Sequence, residues 1–157
     1  MQNTVMATIQ HQVWLNAPAS KAFEAVTSAK GISGWWGPHQ SEQTSDGLIL
    51  SHDPGPSHGV LKFKIVNQIK NSRVEWEFIS RHPDASPASA WMGTRAIFDI
   101  AERQNKPSQS GFGAEDDRAT VLDFRHSGWA EGSEYFGFCN FAWAMALLAL
   151  KKSCEAD

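Results

Sequence analysis

The sequence predicts an α+β domain in which one curved antiparallel sheet wraps a long C-terminal helix. Three observations lead there. The last stretch, Ser133 to Cys154 (SEYFGFCNFAWAMALLALKKSC), runs about six helical turns without a proline. The middle of the chain, from His39 to Ser127, alternates apolar and polar residues with period two. Strands grouped in one run, rather than interleaved with helices, segregate the helix to one sheet face.

The terminal helix starts at Ser133 as N-cap, with Glu134 at the positive end of the helix dipole and Lys151 and Lys152 near the negative end. At ~100° per residue, Phe136, Cys139, Asn140, Trp143, Leu147, Leu150 and Cys154 form one stripe, and Phe138, Phe141, Met145 and Leu148 form a second, opposite one. A helix apolar on both sides must be largely covered. One sheet covers only one side of it. The second stripe is therefore the expected interface of a homodimer, because exposed it would make a patch of the kind that marks partner surfaces.

In chain order, Ala7–Leu15 alternates as a first strand, with Ile9, His11, Val13 and Leu15 on one face. Pro18 suits the opening of a helix over Ala19–Thr27, which buries Ala22, Phe23 and Val26. Ser28 caps a second short helix that ends in Gly34-Trp35-Trp36-Gly37-Pro38. Strands follow at His39–Thr44, Gly47–His52, Gly59–Ile69 and Arg73–Ser80, the last with Val74, Trp76 and Phe78 alternating with Glu75 and Glu77. After a loop at His82–Ser89 come strands at Met92–Glu102 and Ala119–Ser127, separated by a polar, glycine-rich hairpin loop from Arg103 to Arg118. That makes six to seven strands in one domain spanning residues 1–157, with no internal repeat or linker.

Composition narrows the function. A net charge of -3 gives no footprint for nucleic acid. The longest nearly apolar run, Phe136 to Leu150, is shorter than the ~18–20 residues that span a bilayer. No basic-then-apolar leader opens the chain, so the expected home is the cytoplasm. Cys139 and Cys154 fall ~22 Å apart along one helix, beyond disulfide reach, and read as buried thiols.

Several stretches resemble a known family. The order of elements is that of the helix-grip fold of the START-like (SRPBCC) superfamily, which includes birch-pollen-allergen-like proteins and aromatase/cyclases. The segment VWLNAPASKAFEAVTSAKGISGWWGP is similar to the opening of the subfamily named for the activator of the heat-shock protein 90 ATPase. VEWEF, GTRAIFDI, HSGW and EYFGFCNFAWAMALLALKK are similar to its second half. The resemblance implies a cavity between sheet and helix, and three functions: a binder or carrier of a small hydrophobic molecule, a cyclase or dehydratase acting on an aromatic or polyketide-like substrate, or a module that stimulates a chaperone ATPase.

Strand parity places Trp76, Phe78, Phe98, Leu122, Phe124 and His126 toward that cavity, with Phe136, Asn140 and Trp143 from the helix. An apolar chamber with a few polar groups suits a small ligand. Asn140 is the polar residue of the stripe, where an unpaired amide would cost roughly 1–3 kcal/mol. His126 is the best titratable candidate for a general base, although Asp123 and Arg125 alternate to the opposite face and supply it no partner. His52-Asp53 and His58 match no zinc or iron spacing, so no metal is expected. Neither a phosphate loop nor a nucleophile elbow occurs, and no cofactor is expected.

Overall fold

The computed structural model describes residues 6–104 and 118–156. Its elements are β1 (Met6–Leu15), α1 (Ala19–Thr27), α2 (Ala29–Trp36), β2 (Gln40–Thr44), β3 (Gly47–His52), β4 (Leu61–Ile69), β5 (Arg73–Phe78), a short 3₁₀ turn (Pro87–Ala90), β6 (Arg95–Gln104), β7 (Arg118–Ala130) and α3 (Phe136–Glu155). The seven strands form one antiparallel sheet in the order β1-β7-β6-β5-β4-β3-β2. This is the α+β, helix-grip arrangement that the order of elements predicts.

Side-chain alternation decides which sheet face meets the helices. Along β5, Val74, Trp76 and Phe78 are buried while Glu75 and Glu77 are not. On the outer face those carboxylates join a ladder of charges across neighbouring strands. Arg73 reaches Glu75 and Asp99 at 2.7 Å each, Arg125 reaches Asp99 at 3.1 Å, and Arg95 reaches Glu77 at 3.3 Å. Such partly exposed pairs contribute little individually. Their effect is to keep that face in water.

Local chemistry sets the turns and caps. Asn71 takes φ 59 in the β4–β5 turn, a left-handed conformation that asparagine tolerates better than most residues. The Ser28 hydroxyl accepts the Gly31 N–H at 2.9 Å and caps α2 as expected. Pro18 is the N-cap of α1 rather than a residue of its first turn. Helix α3 starts later than Ser133. The Tyr135 hydroxyl donates to the Asp84 carbonyl, and residues 133–135 form a turn that delays the helix to Phe136. At the other end, Glu155 accepts from the Asn16 N–H and from Lys151, whose ammonium also donates to the Trp14 carbonyl at 2.6 Å. These bonds pin the end of α3 to the β1–α1 junction.

Strand β6 starts at Arg95 rather than Met92, because residues 91–93 turn so that the Gly93 N–H donates to the Phe78 carbonyl. Strands β6 and β7 pair as far as Gln104 and Arg118, so the ends of the loop expected over Arg103–Arg118 belong to strands, and its remaining residues, 105–117, lie outside the described residues. Cys139 and Cys154 are free and buried. Among the described residues, no helix is long and apolar enough to cross a membrane.

Candidate functional site

The inner face of the sheet and the inner stripe of α3 bring most of the expected lining residues together. Phe63 and Trp76 stack at 4.2 Å, Trp76 meets Phe98 at 4.7 Å, and Phe124 meets Trp143 of α3 at 4.4 Å. Trp76, Phe78, Phe98, Phe124 and Trp143 are all buried. Phe136 is half-buried at one end, edge-on to Trp129 at 5.5 Å.

Asn140 does not join them. The buried arc of α3 is Cys139, Trp143, Leu147, Leu150 and Cys154, and Asn140 lies ~60° from its centre, past the edge of contact with the sheet. Its side chain is exposed. Only its main-chain carbonyl faces β1, where it accepts from Nε2 of His11 at 3.2 Å. The amide does not face the interior.

His126 is fully buried and bonded through both ring nitrogens. The indole N–H of Trp143 can only donate, so Nδ1 of His126 is the acceptor, at 2.9 Å. The Thr94 hydroxyl donates to the Trp91 carbonyl at 2.6 Å, so it accepts from the N–H at Nε2 of His126, at 2.7 Å. The imidazole is thus held neutral with its lone pair occupied, and burial pushes its pKa down to about 3. In this arrangement it has no free site with which to take a proton from a substrate.

Besides Phe63 of β4, four residues outside the expected set join the cluster. Trp36, the last residue of α2, reaches into the interior and is surrounded by Trp76 at 5.9 Å, Trp143 at 5.5 Å, Phe63 at 6.0 Å and Trp91 at 6.2 Å. Trp91, from the turn before β6, stacks on Trp143 at 5.7 Å and donates its N–H to Cys139 Sγ. Trp129 is buried near His126 with its indole N–H unpaired. His39 stacks on His52 at 4.7 Å, with its Nδ1 donating to the Gly37 carbonyl and its buried Nε2 unpaired. Burial lowers the pKa of His39, an effect opposed by the Gly37 bond and assisted by His52. No spacing in the sequence marks these residues, since each comes from a helix end, a strand end or a loop. The nearest signal is the Trp35-Trp36 doublet, readable either as a packed corner or as a lid edge. The structure divides it between the two. Trp35 is buried and donates to the Ala25 carbonyl, whereas Trp36 stays partly exposed over the interior.

The rings occupy most of the space between sheet and helix. Beside Trp36, a cleft of about 50 Å³ remains, lined by Trp36, Trp91, Ala142, Trp143 and Ala146. That exceeds one water's share of liquid volume but falls short of the ~300–1,000 Å³ of a typical small-molecule site. A groove of about 380 Å³ across β1 and β7, between residues such as Gln10, His11 and Arg125, is open to solvent. Among the described residues, no three His, Cys, Asp or Glu side chains gather as metal ligands. On the far side of α3, Phe138, Phe141, Met145 and Leu148 are 61%, 68%, 58% and 51% exposed.

No family model and no curated protein matches the chain. Solved structures do. The Aha1 dimer from Colwellia psychrerythraea is similar with 25% identity and a TM-score of 0.69, over 95% of this chain and 96% of that one. BH1534 from Bacillus halodurans is similar at 17% identity and a TM-score of 0.68, over 98% of this chain and 100% of that one. MLL2253 from Mesorhizobium loti follows at 17% and 0.66, over 94% and 96%. The likeness extends along almost the whole chain, and what it establishes is the helix-grip fold.

Proposed function

We propose that the protein binds a small hydrophobic molecule between the sheet and α3. The observation that carries this reading is the ring cluster around the partly exposed Trp36, with an apolar cleft of about 50 Å³ beside it. Trp76, Phe98, Phe124 and Trp143 form the walls of the site, with Phe78, Phe136 and His126 behind them. In the closed form the rings fill their own space, so binding requires a ring to move. Native mass spectrometry of the purified protein, followed by tryptophan quenching with apolar probes, tests the reading. Retained ligand, or quenching that weakens in Trp143→Ala, supports it. Absence of both across the probe set overturns it.

A cyclase or dehydratase reading would need His126 as base, and its occupied lone pair speaks against that role. Turnover that disappears in a folded His126→Ala variant would restore it.

The outer stripe of α3 supports a second reading, a homodimer packed through Phe138, Phe141, Met145 and Leu148. Each is more than half exposed in the single chain. The similar protein from Colwellia psychrerythraea was solved as a dimer. The same stripe would serve a chaperone-contacting module. Stimulation of a chaperone ATPase by the protein would favour that partner over a second copy. We propose a cytoplasmic location; the two buried thiols are compatible with it, their separation forbidding a mutual disulfide in any compartment.

A further inference from the structure

Trp36 differs from the tryptophans around it in how it is held. Trp35, Trp76, Trp91 and Trp143 each anchor the indole N–H, to Ala25, Val26, Cys139 and His126 respectively. Among the described residues, Trp36 packs against the core and stacks on its neighbours but makes no side-chain hydrogen bond. It is the last residue of α2, and Gly37 follows with φ 92, a backbone conformation that glycine adopts freely. Its position therefore allows the ring to leave without breaking a hydrogen bond or a strand. The space it would vacate adjoins the cleft of about 50 Å³ and is faced by Trp76, whose ring lies within 4° of parallel to it.

Two histidine rings border the same space, His39 and, at 6.2 Å from Trp36, His52. The His39 ring centre is 5.3 Å from that of Trp36. Its Nδ1–H donates to the Gly37 carbonyl at 2.8 Å, which leaves Nε2 with the lone pair. That nitrogen is buried and, among the described residues, meets no donor. Buried acceptors are normally satisfied, and one left open beside a displaceable ring calls for a donor from outside the chain. A metal does not suit the pair. The rings of His39 and His52 are stacked within 10° of parallel, so their lone pairs lie in separate planes and cannot converge on one ion.

We propose that Trp36 is the plug of the ligand chamber and His39 its polar end, so that the preferred ligand is a flat fused aromatic of indole size bearing one hydroxyl. This rests on the chamber reading above. The ligand takes the place of the indole against Trp76 and extends into the cleft. Its hydroxyl donates to Nε2 of His39.

The test compares 2-naphthol with naphthalene by calorimetric titration of the wild type, Trp36→Ala and Trp36→Ala/His39→Phe, each checked for folding by circular dichroism. If Trp36→Ala does not fold, Trp36→Leu takes its place. The plug-free variant is expected to bind both probes more tightly than the wild type, and to prefer 2-naphthol by about tenfold. The added His39→Phe change should abolish the preference and leave naphthalene binding in place. Equal affinity for the two probes in the plug-free variant overturns the role of His39 and leaves the chamber standing. No gain in binding on removing Trp36, in a wild type that still retains apolar ligand in native mass spectrometry, overturns the plug but not the carrier reading. Absence of binding everywhere overturns both.

Discussion

The indole N–H of Trp143, on α3, donates to Nδ1 of His126, on β7, at 2.9 Å, and both side chains are buried. This bond ties the C-terminal helix to the sheet at a polar point inside an otherwise apolar core. It also fixes the ring's tautomer, and Thr94 completes the arrangement at Nε2.

Because the folded imidazole resists protonation until about pH 3, His126 links stability to acid. The unfolded residue takes its proton near pH ~6.5. Between these two values the unfolded chain binds more protons than the folded one, so stability falls as pH falls, by at most ~1.4 kcal/mol per pH unit. Above that window His126 contributes no pH dependence. Urea midpoints measured from pH 7.5 to 4 should decline less steeply in His126→Phe than in the wild type. Equal slopes would show that the ring is accessible to protons in the native state.

Replacing Trp143 with phenylalanine keeps a ring in the core but leaves Nδ1 of His126 buried without a donor. The expected cost is ~1–3 kcal/mol. At this chain length each kcal/mol lowers the melting temperature by roughly 2–4 °C. Calorimetry showing no shift would mean that the bond contributes nothing net.

Two glycines predict opposite outcomes. A Cβ on Gly31 would clash with the Glu24 carbonyl oxygen, where α1 and α2 meet, so Gly31→Ala should destabilise by roughly 1–3 kcal/mol or more. A Cβ on Gly137, in the first turn of α3, meets nothing within 4 Å, and Gly137→Ala should be neutral or stabilising by about 0.5 kcal/mol. Thermal melts of the two variants decide the matter. A neutral Gly31→Ala would refute the close α1–α2 packing.

If α3 pairs with a second copy, Phe141→Glu should convert a dimer to a monomer in light scattering while the circular dichroism spectrum is unchanged. Phe141 is 68% exposed, so the substitution does not disturb the monomer's own core. A wild type that runs as a monomer at all concentrations rejects the interface.

The sheet was legible because its strands obey a strict alternation. Trp76 and Phe78 could be placed inward, and Glu75 and Glu77 outward, from parity alone. The same parity put Phe124 and His126 inside. Helical periodicity identified Trp143 and Leu147 correctly but was too coarse to separate Asn140, on the margin of the buried arc, from its neighbours. Trp36, Trp91 and His39 were out of reach for a different reason. They sit at a helix end, in a turn and just before a strand, where no period exists and orientation is decided by contacts distant in sequence. The bonding of His126 was hidden likewise, since Thr94 and Trp143 lie 32 and 17 positions away from it.

Strand β1 pairs with β7, with Met6 opposite Ala130 and Leu15 opposite Thr120. During synthesis, β1 therefore has no strand partner until β7 emerges more than a hundred residues later. A long wait with an apolar edge uncovered, followed by a pairing between distant segments, makes for slow closure and exposure to misassociation. Production of this protein in cells should therefore depend on the rate of translation and the supply of holdases, even when the finished molecule is stable.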